Sequence, residues 1–474
     1  LTSSQLEQAA AVDPGVTGAL MSGVYSLTFT TGTGGTGGHD DFGHKSYDVF
    51  SDMLSSDMAL SVSTYGWYRA SITEMQAPLD FTFGDNRQVW RYYYRIVRGC
   101  NEVIDGLGGT DAVPANAEGK YIMGQAKALR AHAYFYLTQF YQKEYDPAEE
   151  ILPIYTDAIT PNGPKVTAAE IYDLMEKDLT EAITYLDGFN RSNKTEINKS
   201  VAQGIYAYVL GARGTDPLKA HNMAVAAISG GYTLMSATEI TGGFNNVATP
   251  GWMWGVDLND EIGLGLVSWW GQMDYYSYSY PAFGDAKSID DGLFAQIPAN
   301  DARKAQFRNN PGAYTHLMPL DKFYDSDKTR YGTSRIVKAD YVYMRVAEMH
   351  LLAAEMGARA GNDAAARTYF PVAPVDSCMD IRGEMVATML EMGLPCDKHH
   401  HEVAAAQHEL GLTYGTLVQT ADRMQIYKYV VQQVAHAYGK SATFMPKPIK
   451  EELGRGKAQI NQETKITTNK KGGE

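Results

Sequence analysis

Three successive stretches of this chain repeat apolar residues every three to four positions, and that rhythm restricts the fold more than any other feature. NRQVWRYYYRIVRGCNEVIDGL, from 86, carries Val89, Tyr93, Ile96, Val97, Val103 and Ile104 in helical register. GQAKALRAHAYFYLTQFYQ, from 124, sets Ala126, Leu129, Ala133, Leu137 and Phe140 on one stripe. TAAEIYDLMEKDLTEAITYLDG, from 167, opens with Thr167 and Glu170 at capping-box spacing and continues through Ile171, Met175, Leu179, Ala182 and Leu186. Segments 198–213 and 216–229 read as two more helices. In ADYVYMRVAEMHLLAAEMGARAG, from 339, a helix would put Met344, Ala347, Leu351, Ala354 and Ala358 on one face and Arg345, Glu348 and Glu355 on the other.

Helices of this length, with small residues where they cross, predict a mostly α fold: antiparallel pairs stacked in a tetratricopeptide-like scaffold, with long loops and a few short strands. No clean repeat period is present, so the prediction rests on element type and length. Residues 240–335 break the rhythm. They are rich in Gly, Trp, Tyr, Asn and Asp, and are expected to lie as loops and short strands across the scaffold, where binding usually sits. TGTGGTGGHDDFGH, 31–44, lacks the terminal Gly-Lys-Ser/Thr of a phosphate loop and reads as a flexible loop.

The chain has 474 residues, 44% of them hydrophobic, and a net charge of −14. That is ample for a large core and opposes a general nucleic-acid binder, which needs a basic surface. Three cysteines without a CxxC pair form no disulfide framework. No stretch is long and apolar enough to span a bilayer. The 32 tyrosines and 6 tryptophans are the unusual feature, since such rings either pack helices or offer faces to sugars and peptides.

Two loops mix rings with hydrogen-bonding groups: STYGWYR, 63–69, and SWWGQMDYYSYSY, 268–280. Sugar recognition needs that mixture, a ring face for C–H surface and polar groups for hydroxyls. The candidate ligand-binding residues are Trp67, Tyr68, Trp269, Trp270, Tyr275, Tyr276 and Tyr278, with packing as the competing reading. Trp90, on a helix, and Trp252 and Trp254, in the alternating GWMWGVD, read as core. Asp57, Asp85, Asp274 and Asp285 flank aromatic loops and read as surface acids or loop caps. No GxSxG or HExxH occurs, and no carboxylate pair can be placed in a cleft. HHHEVAAAQHEL, 399–410, offers Glu402 and Glu409 as weak candidates for an adventitious Mg²⁺ or Mn²⁺ site. No cofactor is expected, and the chain is expected not to be an enzyme.

VWRYYYRIVRGCNEVIDGL, AKALRAHAYFYLTQFY, EIYDLMEKDLTEAITYL, AISGGYTLM and ADYVYMRVAEMHLLAAEMGARAGNDAAA, in this order, resemble the SusD/RagB family over about 1–367. The resemblance implies an oligosaccharide-binding outer-membrane lipoprotein at the cell surface. It would act as lid and substrate receptor for a SusC-like TonB-dependent transporter, held by an N-terminal lipid anchor that these residues do not include. Some members bind oligopeptides, which is the alternative ligand. Residues 369–449 depart from the family: YFPVAPVDSCMDIRGEMVATMLEMG, HHHEVAAAQHEL and QIYKYVVQQVAHAYGKSATFMPKPI resemble glutamine synthetase. The Asn-Gly-Ser-Gly-Met-His loop expected after MPKP is replaced by IKEELGRG, which counts against a working glutamine synthetase-type ligase. The chain thus reads as a composite: a SusD-like part to 367, a glutamine synthetase-like segment at 368–449 in place of the usual C-terminal part, and a tail at 450–474. It would be either a fusion or a stretch wrongly assigned when the sequence was written down. The second is favoured, because part of an enzyme core is not expected to fold in that place.

Overall fold

The computed structural model describes residues 14–325, 328, 336–370, 379–401, 407–413, 415–444 and 464–467. Its first unit, Leu1–Phe370, opens with helices α1 (Pro14–Ser26) and α2 (His44–Leu54) and strand β1 (Ala59–Val62). The long helices follow: α3 (Gly84–Gly106), α4 (Ala117–Tyr141), α5 (Ala168–Tyr185), α6 (Lys199–Arg213) and α7 (Pro217–Ile228). After them come β2 (Trp252–Val256), α8 (Trp269–Met273), β3 (Ala286–Ser288), β4 (Tyr341–Arg345) and α9 (Val346–Arg359). Each long helix packs on the next, and α9 closes the series on α7. The fold is the helical-pair scaffold that the periodicity predicts, with a few short strands.

Local chemistry sets the helix ends. Thr167 and Glu170 form the capping box at the start of α5, each side chain bonding the other's backbone N–H. Asn116, Asn198 and Asp216 cap α4, α6 and α7 with side-chain oxygens. Close crossings need small residues. A Cβ on Gly124 of α4 would stand 2.8 Å from Leu186, and one on Gly204 of α6 2.7 Å from the Met344 sulfur. The predicted stripe of α5, Ile171 to Leu186, is wholly buried. Helix α4 is buried nearly all round, and it carries charges into the core. Arg130 donates to Asp178 of α5 from Nε (2.8 Å) and Nη2 (2.7 Å), and Lys127 pairs with Glu181 at 2.6 Å.

Two readings change. Residues 341–345 form a strand, β4, antiparallel to β2 with Trp254 opposite Met344. The helix starts only at Val346, and its buried stripe is Val346, Met349, Ala353 and Met356, leaving Leu351 exposed. Tyr341, Val342 and Tyr343 suit a pleated, half-buried surface, and β2 supplies it. The glycine-rich 31–44 loop is held in shape. It closes around the buried carboxylate of Asp41, which accepts from the backbone N–H groups of Gly34 (2.8 Å) and Thr36 (3.0 Å) and from the Thr36 hydroxyl (3.0 Å).

The second unit, Pro371–Glu474, holds α10 (Met379–Glu391), β5 (Cys396–His401), β6 (Gln407–Leu412), α11 (Leu417–Ala437), β7 (Ser441–Thr443) and β8 (Thr464–Thr467). Its sheet runs β5-β6-β8-β7. Ile381, Met385 and Met389 of α10 meet Leu410 of β6 and Tyr427, Val430 and Val431 of α11 in a core of their own. The glutamine synthetase-like segment thus builds an apolar core of its own. Among the described residues no helix is long and apolar enough to cross a membrane.

Candidate functional site

Strands β1 and β3 pair antiparallel, with Ala59 opposite Ser288, Leu60 opposite Lys287 and Val62 opposite Ala286. This short ribbon brings the two ring-rich loops together. A clasp follows it: Oδ1 of the buried Asp285 accepts the backbone N–H of Tyr65 (2.9 Å) and that of Thr64, and the Thr64 hydroxyl donates to the Gly284 carbonyl (2.9 Å). Gly284 sits at φ 107°, in the left-handed region, where a Cβ would stand 3.0 Å from the Thr64 hydroxyl. Asp285 thus behaves as the loop cap that its sequence context suggested. Asp274 caps its own turn through the Tyr276 N–H and the Ser277 hydroxyl.

The clasp gathers four rings. His39 lies parallel to Trp67, with centroids 5.2 Å apart and planes 4° apart. Tyr280 stands edge-on to both Trp67 (6.1 Å) and Tyr65 (5.4 Å), and its hydroxyl lies 2.5 Å from Nδ1 of His39. Tyr65 is 54% exposed, and the same region presents Tyr278 (38%) and Phe283 (45%), edge-on to each other at 5.6 Å. Arg69, ion-paired with Glu74 at 3.3 Å, adds exposed donors.

Buried polar groups fix the base. Gln272 of α8 donates to the His39 carbonyl (3.0 Å), and its Oε1 accepts from Lys287 Nζ (2.9 Å). Burial lowers the Lys287 ammonium to about 8, against the pull of Asp285. Burial, reinforced by the facing Asp85, raises the Asp40 carboxyl to about 6. The arrangement offers flat ring faces and edge-on donors on a preorganised support, which is the chemistry of stacking recognition. Among the described residues no group of three or more His, Cys, Asp or Glu is placed to hold a metal ion.

The structure separates the residues singled out from sequence. Trp67 lies in the cluster and Tyr278 is exposed beside it. Tyr68 turns inward at φ 66°, stacks on Phe50 at 6.4 Å and has Lys287 over its ring. Trp269 and Trp270 are buried in α8, perpendicular to each other at 4.8 Å, and Trp269 is edge-on to Phe323 at 4.8 Å, so protein takes up their rings. Tyr275 and Tyr276 are half-buried against Ala286, Met318 and Leu320. Glu402 lies outside the described residues; Glu409 stands opposite His400 in the β5–β6 ladder. His39, Tyr65, Tyr280, Phe283 and Asp285 were not singled out as ligand contacts. Tyr65 and Tyr280 belong to the quoted ring-rich stretches, whereas nothing local marks His39.

Residues 41–210 match a family described as SusD-like, "Starch-binding associating with outer membrane". Residues 326–458 match the glutamine synthetase catalytic domain. The fold is similar to a SusD-like carbohydrate binding protein from Bacteroides vulgatus ATCC 8482, with TM-score 0.62 and 22% identity, over 89% of this chain and 80% of that one. It is also similar to surface glycan-binding protein A from Bacteroides thetaiotaomicron, with TM-score 0.56 and 15% identity, over 92% of both chains. Glutamine synthetases from Azospirillum brasilense (66% identical over 88 residues, 19% of this chain) and Rhodobacter capsulatus (46% over 146 residues, 31% of this chain) match locally. The chain spans 19% and 33% of the lengths of those two relatives.

These matches correct the expectation that the chain is no enzyme: over part of its length it matches the catalytic-domain family of one. The catalytic-domain match also begins upstream of the boundary read near 369. Even so, β4 pairs with β2 and α9 packs on α7, so 341–359 is built into the helical unit. The chain is a composite: it has a SusD-like fold, matches the SusD-like family model over residues 41–210 and matches the glutamine synthetase catalytic-domain model over residues 326–458.

Proposed function

We propose that the unit Leu1–Phe370 is a surface glycan receptor. An oligosaccharide lies on Tyr65 and Trp67, braced from beneath by the buried Tyr280, with Tyr278 and Phe283 at its margin, while Arg69 meets hydroxyls. The single observation that carries this is the exposed Tyr65 and half-buried Trp67, clasped by Asp285 against the buried Tyr280. Support for the ligand class comes from fold neighbours described as SusD-like carbohydrate binding and laminarin binding proteins. The starch-binding, outer-membrane-associating family description supports the setting. In this reading the receptor sits at the outer membrane through a lipid anchor and passes its ligand to a SusC-like TonB-dependent transporter. Retardation in native gels containing starch or laminarin tests it. Retardation markedly weakened in a Tyr65→Ala, Trp67→Ala double variant is the expected result. Unchanged migration of that variant relative to a retarded parent would remove the rings from the site.

A second reading is favoured by the glutamine synthetase match itself. The second unit then contributes ligase-type chemistry, in which ATP activates a carboxylate for amide formation. An ATP-dependent glutamyl transfer assay with Mg²⁺ decides it, and absence of turnover above a heat-treated control would end it.

A further inference from the structure

A second aromatic cleft, of about 390 Å³, opens between α3 and the segment 153–163, and none of its lining residues belongs to the platform. On the helix wall Trp90, Tyr94 and Arg98 follow at four-residue spacing and so share one face. The Trp90 and Tyr94 rings lie 4.8 Å apart at 43°, with Tyr141 edge-on to Trp90 at 5.3 Å. Tyr155, Thr160 and Asn162 form part of the opposite wall.

That wall is a surface segment, yet the core holds it in shape. The amide nitrogen of the buried Asn101 donates to the carbonyls of Tyr155 (3.0 Å) and Asp157 (2.9 Å). Asp105 accepts the Ala158 N–H (2.8 Å), and the Tyr134 hydroxyl accepts that of Tyr155 (2.8 Å). The Tyr94 hydroxyl donates to the Pro153 carbonyl (2.8 Å). Arg130, the buried guanidinium of α4, anchors Asn101 through its Oδ1 (2.8 Å). Buried polar groups are costly unless satisfied, and here several are satisfied by fixing one loop. A wall ordered in advance lowers the entropy lost when a ligand binds.

Charge selects the ligand. Arg98 is offset by Glu102 at 3.2 Å. The Asp157 carboxylate is occupied by the N–H groups of Ile159 and Thr160 and by the Thr160 hydroxyl. The cleft therefore presents ring faces and hydroxyl-binding groups around internally balanced charge.

We propose that this cleft is a second subsite for a neutral oligosaccharide, with a sugar ring stacked on Trp90 and hydroxyls held by Arg98 and Asn162. It rests on the glycan-binding reading above, and two sites on one body would raise avidity for a long polysaccharide. The test runs the full chain in starch and laminarin native gels, backed by a broad glycan panel. Four proteins are compared: the parent, Trp67→Ala, Trp67→Ala with Arg98→Ala and Asn162→Ala, and Trp67→Ala with Trp90→Phe. Arg98 and Asn162 are exposed, so their loss spares the fold. Trp67→Ala is expected to keep part of the retardation, the added pair to abolish it, and Trp90→Phe to retain most of it. If Trp67→Ala alone abolishes retardation, or the added pair changes nothing, the subsite falls while the platform stands. If the parent binds no glycan at all, both fall.

Discussion

Removing the Asp285 carboxylate should loosen the platform and weaken ligand binding together. In Asp285→Ala the backbone N–H groups of Thr64 and Tyr65 lose their acceptor. Hydrogen bonds to a charged group contribute about 1.5–3 kcal/mol each, so the gross loss is about 3–6 kcal/mol. One oxygen of the carboxylate, Oδ2, is buried without a hydrogen-bond partner, so deletion also relieves a desolvation cost. The net loss should lie near the lower end, at about 3 kcal/mol. The β1–β3 ladder remains, so the damage concentrates in the loop that carries Tyr65 and Trp67. A smaller competent fraction raises the apparent Kd by its reciprocal, and a tenth left competent means a loss of about tenfold. Urea unfolding followed by tryptophan emission reads the stability, because all six tryptophans precede residue 371 and the second unit is silent. Gel retardation reads the affinity. A variant that loses stability but binds glycan like the parent would refute the link between clasp and site. One that changes neither would refute the clasp.

The remaining predictions concern the scaffold and the junction. Asp178→Asn leaves the buried Arg130 without its carboxylate counter-charge, and breaking a buried pair costs about 3–5 kcal/mol. A urea-midpoint shift worth less than 1 kcal/mol, on that same order-of-magnitude scale, would contradict it. Burial lowers His44 to about 4 and pushes His132 well below the usual histidine range. As pH falls from about 6.5 toward 4, the unfolded chain therefore takes up protons that the folded chain refuses, and stability drops. Asp40 and Asp340, both raised to about 6 by burial, act in the opposite sense. The comparison is therefore with His132→Phe, which should lose less stability than the parent between pH 7 and 5; an equal loss would clear His132. Cleavage after glutamate should release one peptide, 356–384, that joins the two units covalently across Phe370 and Pro371. Mass spectra of the native protein that contain SusD-like peptides but lack this one would separate the two stretches.

Much of the scaffold was legible because helix-forming information is local. The stripe from Ile171 to Leu186 and the Thr167–Glu170 cap depend on residues three or four apart, and the structure places both as read. The 341–345 strand was not legible, since ADYVYMRV fits a helical stripe and a pleated edge equally well. Only the presence of β2 decides between them. In the glycine-rich loop the same holds: composition suggested flexibility, and one buried carboxylate, Asp41, holds it in shape.

The sequence by itself determined that rings and hydrogen-bonding groups are concentrated in 63–69 and 268–280, and that the chain joins two unrelated patterns. Which rings face outward was decided by tertiary structure. Trp269 and Trp270 look as available in sequence as Trp67, yet α8 turns them into the core, while Asp285, more than two hundred residues along the chain, holds Tyr65 and Trp67 beside Tyr280. The physical reason is that burying a ring depends on surfaces supplied by distant segments, and no local spacing encodes those surfaces.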